Sequence, residues 1–397
     1  MAPSVTEDPY LAGSSDNPTN GTHNNTDFNT KPPQTIDNVP LPTSSEWHQP
    51  GPNAYDFHSD TITTPTLSML RAISECTLVD DIYRGDPTTA ALESHLATLS
   101  GHEAGLLVMS GTMGNQVAIR AHLTYPPHTV LTDARSHIAN YEAGGISTLS
   151  GAGLVTIHPS NNHHLTLSDI TKHAVLSDDV HAAPTRVISL ENTLNGMIMP
   201  LFEVKRISEF ARSHNITLHL DGARIWEAVA ANAGSLTEYC SLFDSVSLCF
   251  SKGLGAPIGS MLVGSRAFIT QAKRIRKMMG GSTRQSGIIA SAARVAIDEG
   301  FGSGPNGEGG HLRDCHAKAR RIGKAWESKG GKLTWPVETN MVWMDLESAG
   351  VSNAEFAAIA QEEGIGAKSG RLVIHYQIAE EALLAVERTM ERVLGKH

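Results

Sequence analysis

A lysine that follows an apolar stretch on a glycine-rich turn is the residue of this sequence best suited to covalent chemistry. Lys252 comes shortly after the apolar residues 245–250 and before Gly253 and Gly255. An amine partly withdrawn from water at such a turn favours its neutral form, which attacks aldehydes. Taken alone, a loop lysine is more often a solvated surface residue.

Two further candidate sites follow apolar stretches that are typical of strands. Residues 217–221 end in Asp221, and a carboxylate at the end of a parallel strand points into the crevice where ligands bind and can pair with a pyridinium nitrogen. Residues 105–109 lead into Ser110, Gly111 and Thr112. A helix that begins at these residues presents backbone N–H groups suited to a phosphate, although a simple N-cap explains Ser110 equally well.

A histidine in the run 136–145 is the fourth candidate. The imidazole of His137 can stack on a cofactor ring or exchange protons near neutral pH. One histidine among 19 is more often structural, so this position gains weight only from its neighbours.

The pattern of apolar runs predicts an α/β fold. Short runs that alternate with helical patterns predict a largely parallel sheet covered on both faces. The predicted strands are 105–109, 129–132, 154–158, 186–190, 217–221, 245–250 and 260–263. Beyond the glycine-rich segment 302–310, helices at 312–329, 354–363 and 379–394 with strands at 341–346 and 372–376 predict a smaller α+β domain.

These patterns divide the chain into three parts. Residues 1–50 are rich in Asn, Thr, Ser and Pro, a composition that predicts a disordered tail. Residues 51–300 form the predicted large domain, and residues 301–397 the small C-terminal one.

Charge and composition exclude several classes of partner. The net charge of −10 and the lack of a basic run argue against nucleic acid. The four cysteines have no metal-binding spacing, so we expect reduced thiols, no metal site and a cytoplasmic protein. No apolar stretch is long enough to cross a membrane, and we expect no membrane partner.

Taken together, these motifs resemble the L-threonine aldolase family, a group of beta-eliminating, aromatic amino acid lyase-like enzymes that use pyridoxal 5′-phosphate (PLP). The resemblance extends in chain order over residues 58–61, 80–88, 110–115, 137–145, 190–193, 219–224, 251–257 and 276–281. It implies PLP fold type I, the aspartate aminotransferase-like fold. A small amino-acid substrate and a homo-oligomer, expected to be a tetramer, are also implied.

The resemblance also implies a role for each matching residue. Lys252 would carry PLP as a Schiff base, Asp221 would contact the pyridinium nitrogen, and His137 would stack over the ring. The phosphate would bind Ser110, Gly111 and Thr112, and the substrate carboxylate would bind Ser59, Arg224 and Arg371, with Arg224 also on the ring oxygen. His181 would lie near the substrate's β-hydroxyl, while Lys277 and Arg284 would reach the active site across a subunit interface, Arg284 toward the cofactor and Lys277 toward the substrate.

The sequence is compatible with three functions. The leading interpretation is cleavage of L-threonine, L-allo-threonine or related β-hydroxy-α-amino acids to glycine and an aldehyde, with His137 or His181 as the base. The first alternative is an alanine racemase of the type found in fungal peptide-toxin pathways. The second alternative is a PLP-binding homologue without catalysis, against which the intact set of Lys252, Asp221 and His137 argues.

Overall fold

A seven-stranded sheet dominates the computed structural model, which describes residues 51 and 53–395. The strand order is β1-β7-β6-β5-β4-β2-β3. Strands β2 to β6 are parallel to one another, whereas β7 runs antiparallel to both β1 and β6. The strands are β1 (Ala104–Val108), β2 (Thr129–Asp133), β3 (Gly153–Ile157), β4 (Thr185–Glu191), β5 (Thr217–Gly222), β6 (Ser245–Cys249) and β7 (Ser260–Gly264).

Helices cover this sheet, which explains why its strands are apolar without alternation. Every residue of β2, β6 and β7 is buried, as expected for strands covered on both faces. The covering helices are α1 (Leu67–Glu75), α2 (Pro87–Ser100), α3 (Gly111–His122), α4 (His137–Asn140), α5 (Gly145–Ser150), α6 (Leu167–His173), α7 (Leu201–Ser213), α8 (Ile225–Ala230), α9 (Leu236–Cys240), α10 (Arg266–Met278) and α11 (Gly287–Gly300).

The remaining elements form a smaller α+β unit with its own core. They are α12 (Leu312–Ser328), β8 (Met341–Trp343), α13 (Asn353–Glu362), β9 (Arg371–Val373) and α14 (Glu380–Leu394). Strands β8 and β9 pair antiparallel. Along α12, Cys315, Ala319, Ile322 and Trp326 recur at helical spacing and enter this second core.

The predicted elements and fold class are confirmed. All seven strands predicted for the large domain are present, and so are the three helices and two strands predicted beyond residue 311. One detail differs from the predicted division of the chain. Phe57 belongs to the second core, and its N–H donates to Gly366 O at 2.8 Å, so the segment at its position packs with the C-terminal unit.

Three other expectations concern the N-terminal tail, the cysteines and membrane-spanning segments. The predicted tail at 1–50 lies outside the described residues. The four cysteines, all of which lie in the described part of the chain, are free thiols. No helix among the described residues is long and apolar enough to cross a membrane.

Phe57→Ala should lower the free energy of unfolding by about 3–5 kcal/mol, because it removes a fully buried ring that joins the start of the described chain to the C-terminal core. Urea unfolding followed by circular dichroism measures the change. Tyr55→Ala is the matched control, since Tyr55 is 43% exposed and its loss should change little. Equal destabilisation by both variants would contradict this account of the segment.

Candidate active site

The candidate residues converge on one edge of the sheet. Asp221 lies near the end of β5 and is paired in register with Glu191, the last residue of β4. Lys252 follows the end of β6, and Ser110 follows the end of β1. Because β7 is antiparallel to both β1 and β6, all four strands end at this edge, where open α/β sheets bind ligands.

Asp221 is a buried carboxylate with no basic partner among the described residues. It is 3% exposed. Its Oδ2 accepts a hydrogen bond from Asn115 Nδ2 at 2.8 Å, and its Oδ1 accepts one from Ala223 N at 3.0 Å. A carboxylate oxygen of Asp221, one of Glu142 and a ring nitrogen of His137 lie within 4.8 Å of one another. These atoms are close enough together to surround one cationic group.

His137 and Glu142 form a histidine–carboxylate pair beside Asp221. His137 Nδ1 lies 2.8 Å from Glu142 Oε1, and the carboxylate is fully buried while the imidazole is 34% exposed. The hydrogen bond with Glu142 raises the pKa of His137, burial opposes this, and the charge of Asp221 adds to the rise. The pair therefore fixes the proton on Nδ1 and makes the imidazole a stronger base.

Glu191 contacts the backbone of His137. Its Oε2 accepts the backbone N–H of His137 at 2.8 Å. Burial, and next the charge of Asp221, raise the pKa of Glu191. This shift favours an uncharged carboxyl group, which limits the repulsion between neighbouring acids at the ends of β4 and β5.

A tight turn presents Lys252. Gly255 N–H donates to Lys252 O at 2.8 Å. Gly255 has a φ of 85°, and a Cβ at this position would collide with the ring of Tyr376. Only glycine fits this turn without strain. The preceding strand end is held by Trp226, whose Nε1–H donates to Cys249 O at 2.9 Å.

The start of α3 offers hydrogen-bond donors to an anion. Ser110 is the N-cap, with its side chain accepting from Met113 N at 3.1 Å. The first N–H groups of a helix have no partner within the helix. Ser260 Oγ is buried without a hydrogen-bond partner, 3.9 Å from where a Cβ of Gly111 would lie. These donors suit a phosphate.

Two arginines lie next to each other with different partners. Arg224 donates from Nε and Nη2 to the two oxygens of Asp60, at 2.8 and 2.7 Å. Burial alone would raise the pKa of Asp60, but the charge and hydrogen bonds of Arg224 lower it to about 2. Arg371 donates to His58 O at 3.0 Å, and its guanidinium carbon lies 5.5 Å from the Trp343 ring centroid.

Arg371 therefore has the more available guanidinium group. Burial, and next the charge of Arg224, lower the pKa of Arg371, so a carboxylate ligand would relieve both effects. Ser59 lies next to Asp60, and its Oγ accepts from Thr61 N at 3.2 Å and from Thr61 Oγ1 at 2.9 Å.

The structure does not bring His181 into this site within one subunit, so its expected role as a base stays a prediction. The side chain is 89% exposed, and its Nδ1 lies 2.9 Å from Asp179 Oδ1. His181 precedes β4, at the amino edge of the sheet, whereas Glu191 ends that strand. At 3.3 Å per residue, seven strand residues separate the two edges by about 20 Å.

The two residues expected at a subunit interface lie on the surface of the described chain. Lys277 is exposed in the last turn of α10. Arg284 is 52% exposed, with Nη1 3.1 Å from Asp80 Oδ2 and its guanidinium carbon 5.4 Å from the Tyr83 ring centroid.

Several residues of the site carried no assigned role in the sequence. Glu142, Glu191, Asn115 and Asp60 lie inside motifs that carry the family resemblance, so membership of those motifs was the available signal. Asn340, whose Nδ2 lies 3.3 Å from Asp60 Oδ2, had no such signal.

A family model described as beta-eliminating lyase matches residues 56–349. The chain belongs to the beta-eliminating lyase family. It is therefore a PLP-dependent lyase, as the resemblance implied.

Proteins similar to this lyase include an aldolase, an alanine racemase and an L-threonine aldolase. It is 52% identical over 350 residues to aldolase vrtJ of Penicillium aethiopicum, covering 88% of this chain and 89% of the relative. It is 47% identical over 343 residues to alanine racemase TOXG of Cochliobolus carbonum, covering 86% and 88%. A low-specificity L-threonine aldolase of Eremothecium gossypii is 43% identical over 345 residues, covering 85% and 88%.

Solved structures show the same fold. A threonine aldolase of Leishmania major matches with a TM-score of 0.68 and 18% identity, covering 85% of this chain and 99% of that one. A serine palmitoyltransferase of S. paucimobilis with bound PLP matches with a TM-score of 0.65 and 18% identity, covering 86% and 87%.

The residues of this lyase fit PLP. Asp221 is a buried carboxylate with no basic partner in the described chain. A protonated pyridine nitrogen would be such a partner. The start of α3 and the hydroxyl of Ser260 provide donors for a phosphate. The turn at Lys252 provides the amine that an aldehyde requires.

Glu142→Gln should lower the pKa of His137, because the variant removes the carboxylate whose hydrogen bond raises it. NMR titration of the histidine ring signals in the cofactor-free protein measures the change. Glu387→Gln, which removes an acid paired with Arg321 in the C-terminal unit, is the control and should leave His137 unchanged. A His137 titration that is identical in both variants would contradict the pairing.

Proposed function

We propose that Lys252 binds PLP covalently, that Asp221 contacts its ring nitrogen and that His137 stacks over the ring. Ser110, Gly111 and Thr112 hold the phosphate in this proposal. The convergence of these segments at the carboxyl edge of the sheet supports it. When bound, PLP withdraws electrons from Cα of an amino acid, so that a bond at Cα can break.

The reaction we propose is the cleavage of β-hydroxy-α-amino acids, L-threonine and L-allo-threonine among them, to glycine and an aldehyde. The observation that carries this proposal is the His137–Glu142 pair, in a half-exposed position beside Asp221. With Nδ1 donating to Glu142, Nε2 is the nitrogen that accepts the β-hydroxyl proton, directly or through water. Loss of that proton allows the Cα–Cβ bond to break and the aldehyde to leave. The bonding electrons remain with Cα, where the cofactor would withdraw them, and Cα then takes up a proton to give glycine.

The substrate carboxylate, in this proposal, binds Arg371 with help from Ser59. Arg371 has no acidic partner among the described residues, and its guanidinium fork matches a planar carboxylate. Arg224 contributes its charge and the N–H groups that Asp60 leaves unused.

Alanine racemisation is the second candidate, and the identity to a fungal alanine racemase favours it. Racemisation requires proton transfer at both faces of Cα. In this candidate function Lys252 would serve one face, and His137, which lies beside Asp221, would assist at the other. The two candidates therefore use the same residues and differ in the bond that breaks.

We also propose a homo-oligomer, expected to be a tetramer, in the cytoplasm. Tyr83, which lies under the guanidinium of Arg284, is 82% exposed, and an exposed aromatic ring paired with an arginine is typical of an interface. Four reduced thiols suit the cytoplasm.

Product analysis distinguishes the two reactions. The purified holoenzyme should release glycine and acetaldehyde from L-threonine or L-allo-threonine, and should leave L-alanine unchanged. Chiral chromatography of the amino acids and an aldehyde assay measure both outcomes. Formation of D-alanine without acetaldehyde would replace the aldolase by the racemase.

Lys252→Ala should abolish the covalent attachment of PLP while the protein remains folded, since Lys252 supplies the only amine on this turn. Borohydride reduction and peptide mapping of the parent protein should place the pyridoxyl group on Lys252. Lys277→Ala is the control, and its reduced protein should still carry the label on Lys252. A label on another lysine of the parent protein would refute the assignment.

Arg284→Ala should weaken PLP retention if this side chain completes a neighbouring subunit's site. Coexpression of Arg284→Ala with Lys252→Ala subunits should then restore about a quarter of the parent activity. About half of the randomly formed pairs are mixed, and one of the two sites in each mixed pair is intact. Arg294→Ala, which removes an exposed arginine paired with Asp298 on α11, is the control and should retain PLP. Absence of any restored activity in mixed oligomers would refute the shared site.

A further inference from the structure

A continuous chain of hydrogen bonds, buried except at its outer end, leads from Asp221 to the opposite edge of the sheet. Asn115 Nδ2 lies 2.8 Å from Asp221 Oδ2, and Asn115 Oδ1 lies 3.1 Å from His219 Nε2. His219 Nδ1 lies 2.8 Å from Ser245 Oγ, which lies 2.8 Å from His122 Nε2. Asn115 is 1% exposed, and both His219 and Ser245 are 0% exposed. We call these five residues the Asp221 chain.

The carboxylates at one end determine the direction of the bonds. Asn115 Nδ2 donates both to Asp221 and to Glu142 Oε1, at 2.8 and 2.9 Å, because carboxylates only accept. The other atom of the amide, Oδ1, must therefore face His219. It accepts, so His219 carries its proton on Nε2.

The remaining bonds follow from the neutral state of the histidines. Burial lowers the pKa of His219 to about 4, although the charge of Asp221 opposes this. Burial also lowers the pKa of His122. A neutral His219 with Nε2–H accepts at Nδ1, so the hydroxyl of Ser245 donates to it and in turn accepts from His122 Nε2–H. Every donor in the Asp221 chain points toward Asp221.

We propose that the Asp221 chain keeps Asp221 ionised and oriented toward the ring nitrogen of PLP, with Asn115 and His219 as positioning residues. This inference rests on the proposed contact between Asp221 and the cofactor. The carboxylate of Glu142 lies close by and repels the charge of Asp221, so this charge needs opposing stabilisation. Aligned donors supply it, since hydrogen bonds to a charged form favour that form and polarise one another.

The outer end of the Asp221 chain is also held in place. His122 stacks on Phe268, with ring centroids 4.3 Å apart and an interplanar angle of 12°. Ser245, the first residue of β6, pairs in register with His219, which keeps the two side chains adjacent. The arrangement is thus built from a strand pair and a helix, and its geometry does not depend on a loop.

The test is the protonation state of the ring nitrogen in protein loaded with PLP that carries ¹⁵N at that atom. In the parent protein the ¹⁵N chemical shift should be that of a protonated pyridine. His219→Leu removes the donor to Asn115 and should move the shift toward the unprotonated value, with PLP affinity about tenfold weaker. His219→Gln places an amide donor near the same position and should restore the parent shift.

His128→Leu is the matched control. His128 is also buried, at 6% exposure, but its ring faces only the backbone carbonyls of Tyr125 and Ser150. This variant should keep the parent shift and affinity. Ser245→Ala, which interrupts the chain with little change of volume, provides a second test if His219→Leu does not fold, and should shift the signal in the same direction.

The outcomes separate this inference from the proposed function. If Asp221→Asn moves the ring ¹⁵N signal but His219→Leu and Ser245→Ala both retain the parent shift and PLP affinity, the Asp221 chain has no role and the inference is refuted. If Asp221→Asn itself retains the parent shift, the contact between Asp221 and the cofactor fails, and the proposed function fails with it. In the cofactor-free protein, ¹⁵N spectra that show His219 protonated on Nδ1 would also refute the inference.

Discussion

The charge of Asp221, buried at the end of β5, constrains the rest of the site. Burying a carboxylate is costly unless hydrogen bonds or an opposite charge compensate for it. The described chain supplies the hydrogen bonds through Asn115 and Ala223 and supplies no basic partner. A protonated pyridine nitrogen, as proposed, would supply an opposite charge at this carboxylate. Binding of the cofactor would then also offset the cost of burying Asp221.

A second buried carboxylate in the same region, Asp60, has its compensating charge within the chain. Asp60 is satisfied within the chain by the guanidinium of Arg224, and its pKa is held at about 2. This pair joins the start of the described chain to the residues that follow β5, so it stabilises the cleft without a ligand. Arg371 has no acidic partner among the described residues, which supports its proposed contact with a substrate carboxylate.

The sequence predicted those parts of the site that depend on the sheet alone. Lys252 and Asp221 each follow a recognisable apolar strand, and parallel strands bring their carboxyl ends together. The pairing of Asp60 with Arg224 joins residues 164 positions apart, and that of Asn115 with Asp221 joins residues 106 apart, which no local pattern reveals. His181 is a different case: it precedes a parallel strand and so lies at the amino edge, far from the carboxyl edge of its own subunit.

The choice between aldol cleavage and racemisation is a question of orientation, because both reactions use the same electron withdrawal at Cα. The bond that breaks is the one aligned with the π-electrons of the ring, and small displacements of a bound substrate change reaction rates strongly. The proposed carboxylate contact at Arg371 would determine how the substrate is rotated about the bond to its nitrogen. The His137–Glu142 pair would then provide the acceptor for a β-hydroxyl proton. Under the proposed roles, reaction specificity would depend on the position of Arg371 relative to His137, two side chains that the fold brings to one site without fixing which bond breaks.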